Sequence, residues 1–84
     1  MRPLASIVVL IAMVVPAAAD RPVTEDERAK LQAAVEAQGC RGGDMEWDDE
    51  DKEFEVEGAV CQDGKKYEFK FDAEFKFVEK EEDS

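Results

Sequence analysis

In three separate stretches between Asp44 and Phe77, the apolar residues of this chain fall on alternate positions, and that pattern constrains the fold most. Met45 and Trp47 alternate with Asp44, Glu46 and Asp48; Phe54 and Val56 alternate with Glu53, Glu55 and Glu57. Tyr67, Phe69 and Phe71 alternate with Glu68, Lys70 and Asp72, and Phe75 and Phe77 resume the pattern after Ala73-Glu74. A period of two is what a strand with one buried face requires. Composition alone points the other way. Only 11 of residues 20–84 are Leu, Ile, Val or Phe, and acidic side chains outnumber basic ones 22 to 10 there, a balance typical of disorder. A disordered acidic tail has no reason to keep its aromatics in phase, so the chain reads as a folded domain with acidic solvent faces.

The punctuation places the other elements. Thr24 and Glu27 have the spacing of a capping box, and Glu25, Asp26 and Glu27 suit the positive end of a helix dipole. Leu31, Ala34, Val35 and Gln38 form a narrow stripe with Ala33 and Ala37 beside it, and Gly39 supplies the left-handed stop. After Gly42-Gly43, strands are expected at about Asp44–Asp48, Glu53–Cys61, Lys66–Asp72 and Phe75–Lys80. An acidic turn at Asp49–Lys52, a hairpin at Asp63-Gly64 and a tight turn at Asp72–Glu74 separate them. The expected fold is α+β: one N-terminal helix packed on a three- to four-stranded antiparallel meander. Residues 20–80 make a single small domain, and residues 81–84 a frayed acidic tail.

Residues 1–19 are set apart from this domain. Met1-Arg2 is a short basic start, Leu4–Val15 is an apolar run, Pro16 breaks it, and Ala17-Ala18-Ala19 offers the small residues that signal peptidase accepts. As a helix, Leu4–Ala19 would span roughly 24 Å, short of a hydrocarbon core of about 30 Å. The segment therefore reads as a cleaved export signal with Asp20 as the first mature residue. No cysteine follows the run to carry a lipid, so no stable membrane association is expected after cleavage. The expected location is periplasmic or secreted.

An oxidising compartment makes Cys40 and Cys61 a disulfide, since only one intramolecular pairing exists. The alternatives are an intermolecular disulfide or a redox pair; the redox reading is weakened because the two lie far apart among carboxylates that would raise a thiol pKa. One phase conflict follows. Phe54 and Val56 are in step with Val60, which turns Cys61 to the opposite face. Either an extra residue is accommodated near Gly58 as a bulge, or the strand ends near Ala59 and Cys61 belongs to the turn.

The formal net charge of −11 argues against nucleic acid and anionic membrane surfaces, where phosphates would repel the chain. The absence of histidine removes the commonest general base and metal ligand. Neither an enzyme nor a cofactor is expected. The acidic run Asp48-Asp49-Glu50-Asp51 reads first as a solvated hairpin tip that keeps a small domain soluble. Its second reading is a Ca²⁺ site, although the glycine and glutamate positions of an EF-hand loop are missing. Trp47 and the phenylalanines read as core before docking patch. A sheet covered by one short helix also has an open edge, which can pair with an extended peptide.

With these elements in place, the layout resembles the small secreted PepSY-domain proteins. The resemblance rests on the helix opening Pro-Val-Thr-Glu-Asp-Glu, the strand Phe54–Val60, the turn Asp63-Gly64, the strand Tyr67–Phe71 closing on Asp72, and the strand Phe75–Val78. Where the family often has a Thr-Gly turn after the aspartate, this chain has Ala73-Glu74, and the cysteines Cys40 and Cys61 mark a disulfide-containing subgroup. The resemblance implies a helix on an antiparallel sheet and a non-enzymatic module that binds or inhibits a peptidase, or engages another exported protein. It carries no catalytic residues. The alternative is an acidic envelope protein that binds or buffers cations such as Ca²⁺.

Overall fold

The helix α1, Glu25–Ala37, begins where its capping box places it: Thr24 Oγ1 accepts the Glu27 N–H at 3.1 Å and Glu27 Oε1 accepts the Thr24 N–H at 2.9 Å. Gly39, at φ +79°, follows the C-terminal turn. The computed structural model describes residues 20–83; the expected export signal, residues 1–19, and Ser84 lie outside the described residues. Leu31 and Val35 are buried and Ala34 is half-buried, whereas Ala33, Ala37 and Gln38 of the expected stripe are exposed. Two buried side chains a turn apart suffice because the helix is flat against a sheet.

That sheet is antiparallel throughout. Its main path is β1 (Arg21–Pro22), β3 (Asp44–Asp48), β4 (Glu53–Cys61), β5 (Lys66–Asp72) and β6 (Phe77–Glu82), and β2 (Cys40–Arg41) also pairs with β4. The expected meander is β3 to β6. Among the described residues the sheet has six strands rather than three or four, because two dipeptides join it. Arg21 and Pro22 of the N-terminal arm pair with Trp47 and Glu46, and Cys40 and Arg41 pair with Cys61 and Val60. Isolated dipeptides leave no periodicity to read, so only the assembled sheet reveals them.

The phase conflict in β4 is relieved by a bulge. Val56 faces Phe69 and Ala59 faces Tyr67, so β4 carries one residue more than β5 across this interval. Gly58 supplies the left-handed conformation at φ +73°. Phe54 and Val56 before the bulge, and Ala59 and Cys61 after it, are therefore all buried on one face. The strand continues through Cys61, and the Cys40–Cys61 disulfide forms between directly opposed residues.

The core lies between α1 and the sheet. Phe69, Phe71, Leu31, Val35 and Val56 are fully buried, and each contributes about 1.5–3 kcal/mol of transfer free energy. Trp47, Tyr67 and Phe75 close its margins. Two expectations at the C-terminal end are corrected. The last strand starts at Phe77, because Phe75 sits in the turn with φ +65°. It also runs past Lys80: Glu81 and Glu82, expected in the frayed tail, pair with Glu68 and Tyr67. Backbone pairing to an already formed β5 orders residues whose composition gives no apolar signal.

Candidate functional site

The pleat that buries one face of the sheet points the carboxylates to the other. Asp44, Glu46 and Asp48 of β3 stand opposite Glu57, Glu55 and Glu53 of β4, so acid faces acid along the whole ladder. On β5, Lys70 stands opposite Glu55, and Glu68 is paired with Glu81 of β6. Among the described residues, Lys70 is the cation that the pairing sets in the middle of this row. Its ammonium is 3.7 Å from Glu79, and the desolvation that opposes its charge is outweighed by Glu79, Glu68, Glu53 and Glu55, which raise its pKa.

Partial burial and, after it, the crowding of like charges disfavour ionisation on this face. Partial desolvation, then Asp48 and Glu68, push the Glu55 carboxyl above its ordinary range. Desolvation and Glu57 do the same to Glu68, and desolvation, Asp20 and Glu57 to Glu46. Among the described residues, the three carboxylates whose oxygens approach within 4.8 Å of one another are Glu55, Glu57 and Glu68. The alternation in β4 predicts a single row of acids. The bulge after Val56 changes the local geometry, and the partner strand supplies Glu68. Glycine inside a strand pattern was the only signal of this in the sequence.

The acidic loop behaves differently. Asp48 Oδ1 accepts the N–H groups of Glu50 at 2.9 Å and Asp51 at 3.2 Å, which holds the turn. Asp49 Oδ1 accepts from Lys52 Nζ at 2.9 Å and from Trp47 Nε1 at 3.3 Å, and these two bonds lower its pKa. Lys52 takes up positive φ, +55°, as the chain enters β4. The Ca²⁺ candidates Asp48 and Asp49 thus serve the turn, and none of the four residues Asp48–Asp51 belongs to the group formed by Glu55, Glu57 and Glu68. A shallow groove beside the disulfide, lined by Glu36, Arg41, Val60 and Gln62 among others, brings together no cluster of titratable groups.

The two edges of the sheet are unlike. At one, β1 has two residues, and Pro22 has no N–H to offer. Beyond it, Arg21 makes a bidentate ion pair with Glu27 at 2.9 and 3.0 Å and lies over the Trp47 ring. At the other, β6 has six residues, none of them proline, and ends the strand order. Phe77 and Val78 are the large apolar side chains left exposed among the described residues, at 48% and 49%. Phe77 keeps its ring 6.4 Å from those of Phe69 and Phe71, at the margin of the core. The sequence places Phe77 in the core stripe; the short helix does not reach far enough to cover it. No helix among the described residues is long and apolar enough to cross a membrane.

A family model described as "Peptidase propeptide and YPEB domain" matches residues 3–82. No curated protein and no solved structure matches the chain with significance.

Proposed function

This chain belongs to the PepSY family of peptidase propeptide and YPEB domains, and from that premise we propose that it is an exported, non-catalytic module that binds a peptidase. The observation that carries the reading is the extent of the match, which takes in the helix and every strand of the sheet. Two surfaces support a binding role: the bare acidic face and the open edge at β6. In an oxidising envelope the Cys40–Cys61 disulfide stabilises a domain with little apolar material.

The test is enzymatic. Oxidised protein, purified as the exporting cell processes it, is titrated into envelope extract of its own organism while peptide hydrolysis is followed. The peptidases retained on immobilised protein are then assayed singly. Saturable retention of one peptidase together with a change in its turnover is expected. If no envelope peptidase is retained or altered, the reading falls.

A second reading, cation binding, draws on the approach of Glu55, Glu57 and Glu68 as well as on the acidic loop Asp48–Asp51. Its measure is the melting midpoint under saturating Ca²⁺, Mg²⁺ and Zn²⁺. A selective rise with Ca²⁺ favours it, since a ligand that binds only the native state stabilises that state by mass action. A flat midpoint removes it.

A further inference from the structure

We propose that the outer edge of β6 takes up an extended segment of a partner protein in which apolar residues alternate with lysine or arginine. The apolar residues would lie beside Phe77 on the helix side, and the basic residues beside Glu79 and Glu81 on the open face. This deepens the peptidase-binding reading and rests on it for the identity of the partner, while the edge itself is argued from geometry.

Asp83 donates its N–H to the Lys66 carbonyl at 2.8 Å. In an antiparallel ladder, pairs that exchange hydrogen bonds alternate with pairs that do not. The neighbouring pair Tyr67–Glu82 is therefore non-bonded, and so is Phe69–Lys80. The backbone N–H and C=O groups of Lys80 and Glu82 consequently point away from β5, and β6 ends the strand order. They form a ready template for a further strand. The two large apolar side chains exposed among the described residues, Phe77 and Val78, stand at one end of the same strand.

Side-chain chemistry then selects the occupant. Phe77 is paired with Phe71 and shares the helix side with Lys80 and Glu82, whereas Glu79 and Glu81 are paired with Lys70 and Glu68 on the acidic face. An added strand extends both faces. Its residues on the acidic side meet Glu79 and Glu81, with Glu68 one strand further in, where only cations are favourable. A second copy of this chain is a poor occupant. Pairing β6 with β6 would bring together two segments that each carry Glu79, Glu81 and Glu82, and like charges directly opposite one another are destabilising. The same charges that prevent self-association select an oppositely charged partner.

The test uses protein with its disulfide intact and its N-terminus as the exporting cell leaves it. The probe is a synthetic peptide alternating valine and lysine. Saturable binding that weakens with salt is expected. N-methylation of alternate amides along one edge of the peptide keeps its charge and removes its pairing groups, and should cost tenfold or more in affinity. Lys80→Pro removes an outward N–H without breaking a bond to β5 and should lose binding to a similar degree. Lys80→Ala, which keeps that N–H, should retain it. Glu79→Gln with Glu81→Gln should weaken binding and flatten its salt dependence.

Equal binding of the N-methylated peptide, or of a valine–glutamate peptide, overturns the proposal, as does absence of binding or dimerisation through β6. If Lys80→Pro fails to fold, the N-methylated peptide on the unaltered protein decides alone. Lys80→Pro also separates the two readings. A peptidase retained equally by the Lys80→Pro protein removes the edge from the account and leaves the family reading intact. Edge pairing with the peptide but no peptidase retained does the reverse.

Discussion

Phe75 occupies in the β5–β6 turn the place that Gly64 occupies in the β4–β5 turn. Gly64 donates its N–H to the Cys61 carbonyl, and Phe75 donates its own to the Asp72 carbonyl, each at 2.9 Å. Cys61 closes the first loop on Lys65 O and Asp72 closes the second on Lys76 O. Both third residues are left-handed, at φ +82° and +65°. Glycine takes that conformation freely; phenylalanine does not. What holds Phe75 there is its ring, which stacks on Phe54 at 4.9 Å between centroids, with Lys30 Nζ 5.4 Å from the ring centre.

Substitutions at Phe75 should therefore rank against ordinary side-chain size. Phe75→Ala keeps the strained backbone and loses the ring, and should lower stability by about 2 kcal/mol. Phe75→Gly loses the ring but relieves the backbone, and should lie about 1 kcal/mol above the alanine variant. Urea unfolding followed by the fluorescence of Trp47, the single tryptophan, measures the order.

Two glycines of similar backbone should respond very differently to alanine. A β-carbon on Gly43 would stand 2.6 Å from Val56 Cγ1 and 3.1 Å from the Glu57 carbonyl oxygen, whereas one on Gly58 meets nothing within 4 Å. Gly58→Ala should cost about 1 kcal/mol, the left-handed penalty alone. Gly43→Ala adds a clash with the core at the bulge and should cost about 3 kcal/mol. Equal losses in thermal unfolding would contradict the tight approach of the chain before β3 to β4.

The disulfide should be worth about 3 kcal/mol by loop entropy, which in a domain this small corresponds to roughly 12–24 °C in melting temperature. Paired Cys40→Ser and Cys61→Ser substitution, or reduction, should produce that fall in calorimetry. A change of a few degrees would mean that β2 and β4 hold together without the bond.

Stability should pass through a maximum on the acid side of neutrality. Glu46, Glu55 and Glu68 have folded-state pKa values raised above the unfolded ones, so their ionisation opposes folding; lowering the pH through those raised values restores stability. Glu27 has the opposite sign. The hydrogen bond from Arg21, then that from the Thr24 backbone, lowers its pKa to about 2. Its contribution is present above the unfolded value of about 4.3 and is lost as pH falls toward 2. The melting midpoint should rise as the pH falls from neutrality through the raised values of Glu46, Glu55 and Glu68, and then fall as the pH approaches the lowered value of Glu27. Glu27→Gln should flatten the acid limb and leave the rise unchanged.

What the sequence determined by itself was local or periodic. The capping box at Thr24 and Glu27, the glycine stop at Gly39, the turn at Asp63-Gly64 and the strands β3, β4 and β5 are written in neighbouring residues or in a period of two. The disulfide was legible because two cysteines admit one pairing. Tertiary structure decided whatever depends on a partner distant in the chain. Dipeptides at Arg21–Pro22 and Cys40–Arg41 became strands because β3 and β4 were there to bond them. Glu81 and Glu82 became ordered because β5 presented free carbonyls and amides. Phe77 kept the phase of a core residue yet stayed exposed, since coverage depends on where a short helix ends, and hydrophobic period records only the face a side chain takes. The grouping of Glu55, Glu57 and Glu68 needed both the bulge at Gly58 and the register of a second strand. Local bonds can be read along the chain, whereas register and coverage are set by which surfaces meet.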